Sequence, residues 1–240
     1  MAEKEKIAEK VESERFYFNS KADLEDQVEY IVEWNWEDAG YFGTKAQVTV
    51  EKAGPDGETS PFVAIAFVQE SGKYRVGSVS IRSADPDERL VFPVQELRQL
   101  FPAREGDIIC TTAIRDWLEG LRHLYWKDGY IDSTSEPRMD VDPRRGVIDF
   151  TMVLDQGKQF RVSSLEVITE NPQLEQALRR GVRVGDVFNS AAWDQLLESN
   201  KKLLPEGFSP GDVEFHRNVK AGTVQIIVDA LTCPESSDLK

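Results

Sequence analysis

The sequence predicts an α+β fold made of three tandem β-α-α-β-β units. Each unit is a three-stranded mixed sheet packed on two antiparallel helices. Three observations predict it. A helix-start block, Gly106-Asp107-Ile108-Ile109-Cys110-Thr111, recurs as Gly185-Asp186-Val187-Phe188-Asn189-Ser190, with a degenerate copy at Tyr17-Phe18-Asn19-Ser20. A glycine–aromatic stop recurs at Gly40-Tyr41, Gly129-Tyr130 and Gly207-Phe208. A junction block, Gly72-Lys73-Tyr74-Arg75-Val76, returns with one insertion as Gly157-Lys158-Gln159-Phe160-Arg161-Val162. Repetition of an ordered set of signals at a fixed period is the mark of a tandem architecture.

In chain order, residues 2–13 form a charged, helix-like stretch, so the opening strand of the first unit is unclear or truncated. Ser20, Thr111 and Ser190 are N-cap candidates, because a hydroxyl there can accept an otherwise orphaned backbone N–H. An amphipathic stretch follows each: Leu24, Val28, Ile31, Val32 and Trp36; then Ile114, Trp117, Leu118, Leu121, Leu124 and Tyr125; then Trp193, Leu196, Leu197, Leu203 and Leu204. Each helix is predicted to end at the glycine, which tolerates the left-handed backbone of a helix terminus. The aromatic after it can fold back on the last turn.

A hairpin follows every stop. The predicted strand pairs are 46–50 with 62–68 around Gly54-Pro55-Asp56-Gly57, 138–141 with 147–154 around Pro143–Gly146, and 212–216 with 224–230 around Ala221-Gly222. Opening strands are predicted at 74–81 and 160–168, and short helices at 92–101 and 171–180, with Pro93 and Pro172 at the first helical turn. The unit boundaries are expected at 1–71, 72–156 and 157–232, with 233–240 as a tail. The joints at 69–73 and 155–159 are short enough to restrict orientation.

Composition narrows the function. The chain has 240 residues and a net charge of −14, with an isoelectric point near 4.7. That balance argues against a nucleic-acid surface, which needs clustered Lys and Arg. No run approaches the ~18 apolar residues that suggest a membrane-spanning helix, and the first residues lack the apolar core of a signal peptide. Two cysteines, Cys110 and Cys233, leave two readings open, a single bridge or two separate thiols. His123 lies in a helical pattern and His216 in a strand pattern, both read as ordinary surface or half-buried residues. Asp140-Val141-Asp142 reads as turn carboxylates rather than a metal pair, since Pro143–Gly146 follows at once. No catalytic or metal-binding motif is found, and no catalytic residue, metal or cofactor is expected.

These blocks resemble a tandem of POTRA (polypeptide-transport-associated) domains, as found in BamA/TamA-type assembly factors of the surface antigen family. Gly129-Tyr130-Ile131 and Gly157–Val162 carry the likeness most closely, with Gly40 and Gly207-Phe208 fitting as well. The likeness covers residues 15–232, with no β-barrel following. It implies a non-enzymatic periplasmic region of an outer-membrane β-barrel assembly factor. Its partners would be unfolded outer-membrane proteins, periplasmic chaperones or assembly lipoproteins, and its own C-terminal barrel in the full-length protein. The chain is then expected to be a fragment without signal peptide and barrel. A TamA-like or two-partner secretion transporter is the alternative, and a cytoplasmic α+β enzyme the remote one.

Clients are expected to bind by β-augmentation, because the outer strand of a sheet leaves backbone N–H and C=O groups unpaired. The candidate edges are the first strands of the hairpins: Gln47, Val48 and Val50; Met139 and Val141; Val213 and Phe215.

Overall fold

The structure is a computed structural model that describes residues 2–52 and 62–231. The first hairpin's turn and Cys233 lie outside the described residues, as does the 233–240 tail. The elements in order are α1 (Ala2–Glu12), α2 (Lys21–Asp38), β1 (Lys45–Lys52), β2 (Phe62–Gln69), β3 (Arg75–Ser83), α3 (Val94–Gln99), α4 (Thr111–Lys127), β4 (Thr134–Asp142), β5 (Val147–Asp155), β6 (Arg161–Ile168), α5 (Pro172–Gly181), α6 (Ser190–Ser199), β7 (Val213–Asn218) and β8 (Thr223–Asp229). The sheets are β1-β2, β3-β5-β4 and β6-β8-β7. The chain falls into two compact units, Met1–Ile81 with Val94–Leu118 and Pro137–Met152, and Arg82–Pro93 with Glu119–Glu136 and Val153–Lys240.

Two of the three predicted sheets therefore have three strands, and the described part of the first has two. The charged opening stretch is the helix α1, whose Ile7 is buried with Leu24, Val28, Val32 and Trp36 of α2 and with Val48 and Val50 of β1. In the third sheet β6 runs parallel to β8 and β7 antiparallel to it. The buried alternation Val224, Ile226, Val228 on β8 faces Leu174 and Leu178 of α5 and Trp193 of α6 in one cluster. A strand with period two thus meets helices with an apolar stripe, as one buried sheet face requires.

The helix stops are built as their spacing predicts. Tyr41 donates its N–H to the Trp36 carbonyl at 2.9 Å and Gly40 to that of Glu37 at 2.9 Å. Tyr130 repeats this on Tyr125 at 3.0 Å and Gly129 on Trp126 at 3.2 Å. This is the six-to-one and five-to-two pairing of a Schellman terminus. The Tyr130 ring lies edge-on to Tyr125 at 6.0 Å.

The repeated junction block then docks on the stop. The Tyr74 N–H donates to the Gly40 carbonyl and the Ile109 N–H to the Tyr74 carbonyl. Likewise Phe160 donates to Gly129 and Phe188 to Phe160, at 2.8 and 2.9 Å. Arg75 and Arg161 each send a guanidinium N–H to the carbonyl of the next Gly-Asp block, at Gly106 and Gly185. Three motifs far apart in sequence are thus one hydrogen-bonded knot.

Local details depart from expectation at four points. Asn189, not Ser190, caps α6, accepting from the Ala192 N–H at 2.8 Å. The α6 helix stops at Ser199, and Lys201–Leu203 form a 3₁₀ turn before Gly207. Pro93 precedes the shorter helix α3, while Pro172 opens α5. Thr111 opens α4, whose first turn is capped from a distance by Asp38. Its carboxylate accepts the Thr112 N–H at 3.1 Å and the Thr111 hydroxyl at 2.8 Å.

Burial pushes the Asp38 carboxyl up, but hydrogen bonds from Thr112 and Thr111 together with Lys10 outweigh it, and the net displacement is downward. A carboxylate held below its unfolded value stabilises the fold above that value and stops doing so as acid protonates it. Asp38→Ala is therefore expected to cost about 1–2 kcal/mol at neutral pH. Urea unfolding at pH 7 and again near pH 3 should show the difference shrink in acid; a pH-independent loss would contradict this reading.

Candidate strand-binding site

A strand-accepting edge needs an outward row of backbone groups and room beside it for side chains. The three candidate edges differ in both.

At the first edge, Val48 and Val50 point inward, 8% and 1% exposed. The outward N–H groups of β1 are already taken: Ala46 donates to Glu33 at 3.0 Å, Val48 to Glu29 at 3.2 Å and Val50 to Glu25 at 3.0 Å. Four helical residues rise about 6 Å and two strand residues about 6.7 Å, so a glutamate on every turn meets every second amide. This carboxylate ladder closes the edge that carries Gln47, Val48 and Val50. The sequence reading missed it, although Glu25, Glu29 and Glu33 stand four apart in plain view.

At the second edge, β4 is the outer strand of β3-β5-β4, and Met139 and Val141 are 48% and 45% exposed. Pro137 within β4 suits an outer strand, which can spare an N–H. The Asp142 carboxylate accepts the Arg144 and Arg145 N–H groups at 2.9 and 3.1 Å, the turn role expected of it. Among the described residues, no cluster of acidic, His or Cys side chains could hold a metal ion.

The third edge, β7, is flanked by a cleft of about 950 Å³ between β7, α6, the 204–210 loop and the end of α4. Val213, Phe215 and Arg217 line it from the strand, Trp193 and Leu197 from α6, and Trp126 from α4. Phe215, 38% exposed, meets Phe188 and Trp193 edge-on at 5.3 and 6.2 Å. Five residues after its cap α6 carries Asp194, and nine after, Glu198, where α2 carries Glu25 and Glu29. In this repeat both carboxylates line the open cleft. The Trp126 indole N–H is buried with no partner among the described residues. Arg217 pairs with Asp132 at the rim. His123, on the surface of α4, contacts Glu119 at 2.9 Å and also lines the cleft, while His216 contacts Glu214 at 2.6 Å. Such an arrangement offers a strand's outer side chains an aromatic trough next to a backbone edge.

The motif glycines stand at turns of the backbone, and Gly207 also lines the cleft. Gly40, Gly129, Gly157 and Gly207 all have positive φ. Phe208 packs against the core and lines the cleft.

No protein-family description and no curated protein matches the sequence. Solved structures do. Over 90% of this chain and 84% of the other, the fold superposes on POTRA domains 3–5 of BamA from Haemophilus influenzae with a TM-score of 0.66 and 18% identity. BamA from Haemophilus ducreyi lacking POTRA domains 1–3 matches 65% of the chain with a TM-score of 0.50 and 18% identity; the chain spans 29% of that protein. POTRA domains 1–3 of Omp85 from Anabaena cover 95% of the chain at 16% identity, with a TM-score of 0.42. The fold is that of tandem POTRA domains.

Proposed function

We propose that this chain is the periplasmic, non-enzymatic POTRA region of an outer-membrane β-barrel assembly or secretion protein. Its three repeats span 1–71, 72–156 and 157–232. It holds unfolded polypeptide by adding a client strand to an exposed sheet edge, and β7 is the main acceptor. The observation that carries this is the pairing of an outer strand with an aromatic cleft: a guest strand on β7 can bond backbone to backbone and set alternate side chains against Phe215, Trp193 and Leu197. Main-chain bonds read no sequence, which suits a carrier of many clients. Each contact is weak because association itself is costly, and the exposed β4 edge adds a second point of attachment for avidity.

An isotope-labelled sample titrated with a ten-residue peptide from an outer-membrane barrel strand should show saturable shifts in β7 amides and the Trp193 indole. Phe215→Ala is expected to weaken that binding about tenfold, the equivalent of roughly 1.4 kcal/mol. No response at millimolar peptide, or shifts confined to outer helix surfaces, would reject the reading.

A further inference from the structure

The first and third repeats set the same helical positions beside a hairpin edge, and they differ in what lies between. On α2, Glu25, Glu29 and Glu33 take the outward N–H groups of β1 directly. On α6, Asp194 and Glu198 stand where α2 has Glu25 and Glu29, counted from the helix cap. Both are exposed and both line the cleft whose opposite wall is β7. Among the described residues no β7 amide reaches either of them. The counterpart of Glu33 is Lys202, beyond the end of α6, so this row has two rungs.

The two edges are otherwise equivalent. Val213 and Phe215 follow Gly207 by six and eight residues, as Ala46 and Val48 follow Gly40. They pair with Val228 and Ile226, as Ala46 and Val48 pair with Val68 and Ala66. L-residues on strands of the same direction, with side chains toward the same face, send their N–H groups to the same side. The Phe215 and Arg217 amides therefore point outward, as those of Val48 and Val50 do. Val213 donates to the Pro210 carbonyl, and among the described residues no acceptor meets the other two.

From these features we infer that Asp194 and Glu198 are binding residues for the client strand, each accepting a backbone N–H from the strand's far edge. This role rests on β7 being the acceptor, and adds a second row of contacts to it. A client bonded to β7 becomes the outer strand of the sheet. Its own outward amides then face α6, as those of β1 face α2. Carboxylates four residues apart on a helix rise about 6 Å, and alternate amides of a strand about 6.7 Å, so two rungs fit two amides of one row. Charged acceptors make the stronger hydrogen bonds and read no side chain. They still exclude proline from two client positions, since proline has no N–H. With its outer amides bonded the client is no template for another strand, so the cleft holds one strand only. The client displaces the pair of Glu198 with Lys201 at 3.4 Å, an exposed contact worth little.

The probe is a capped ten-residue barrel-strand peptide of zero net charge in three forms: unmodified, N-methylated at every second amide, and N-methylated at the intervening ones. Addition to β7 alone uses one row of amides, so one methylated form would then bind as well as the unmodified peptide. With both rows engaged, each methylated form should bind the full chain about tenfold more weakly or worse. Asp194→Ala combined with Glu198→Ala should weaken the unmodified peptide about tenfold and leave the unfolding midpoint unchanged. In that variant one methylated form should bind as the unmodified peptide does, because its methylated row has lost its acceptors. Full binding of one methylated form by the unaltered chain, or normal binding of the unmodified peptide by the variant, would overturn the inference. So would a methylation penalty that persists in the variant for both forms, which is crowding and not hydrogen bonding. In each of these cases saturable shifts at β7 leave the acceptor role of that strand standing. Absence of β7 shifts with every form would remove both.

Discussion

Trp117→Ala should lower the stability of the repeat that holds it by about 3–5 kcal/mol, the range for deleting a fully buried large aromatic. Trp117 is 0% exposed. Its ring is tilted against Phe101 at a centroid distance of 4.7 Å, and Phe101 in turn meets Phe150 at 5.6 Å. Alanine leaves a void among rings that are themselves anchored and cannot collapse into it. It also removes the indole N–H that donates to the Leu97 carbonyl at 3.1 Å, leaving that carbonyl buried and unpaired. Trp117→Phe keeps most of the volume and should lose less. Urea unfolding followed by circular dichroism gives the size of the loss, and hydrogen exchange should place it in α4 and β5. A loss below 1 kcal/mol would show that the cluster is not the anchor described.

Gly129→Val is expected to cost about 2–5 kcal/mol, by two separate effects. With φ at +83°, any Cβ at this residue is strained, worth about 1–2 kcal/mol. The Cβ would also lie 2.7 Å from the Val187 side chain, 3.0 Å from the Phe160 carbonyl oxygen and 3.1 Å from that of Phe188. The Phe160 carbonyl accepts the Phe188 N–H within the junction knot and cannot withdraw without breaking that bond, which adds about 1–3 kcal/mol. Gly185→Ala supplies the control. Its φ is +93°, but nothing stands within 4 Å of its Cβ, so only the conformational cost of about 1 kcal/mol should appear. Thermal unfolding of the two variants separates the effects; equal losses would mean that close approach at Gly129 is unimportant.

Much of this fold could be read in the residues because its signals are local. A glycine after an amphipathic run sets a helix end through backbone sterics alone, and Gly40 and Gly129 end their helices where the spacing placed them. Alternation such as Val224, Ile226, Val228 declares a half-buried strand whatever covers it. The caps were less secure. Asn189 and Ser190 are both good capping residues, and one residue of phase decides between them. Residues 200–204 extend the apolar pattern of α6, yet the chain leaves the helix at Asn200.

The site was legible only in outline. By themselves the residues determined that the chain is a repeat of helix, stop and hairpin, because cap, glycine and alternation each act within a few bonds. They also marked residues 2–13 as helix rather than strand, since that stretch is charged with a helical habit. Only the tertiary structure decided which edges are open. Val48 and Phe215 sit on outer strands that look alike in sequence. Yet one edge has its amides bonded to Glu25, Glu29 and Glu33, while the other faces a cleft lined by Trp193 and Trp126. Openness depends on how a helix pitch meets a strand pitch across space, and no local signal carries that information.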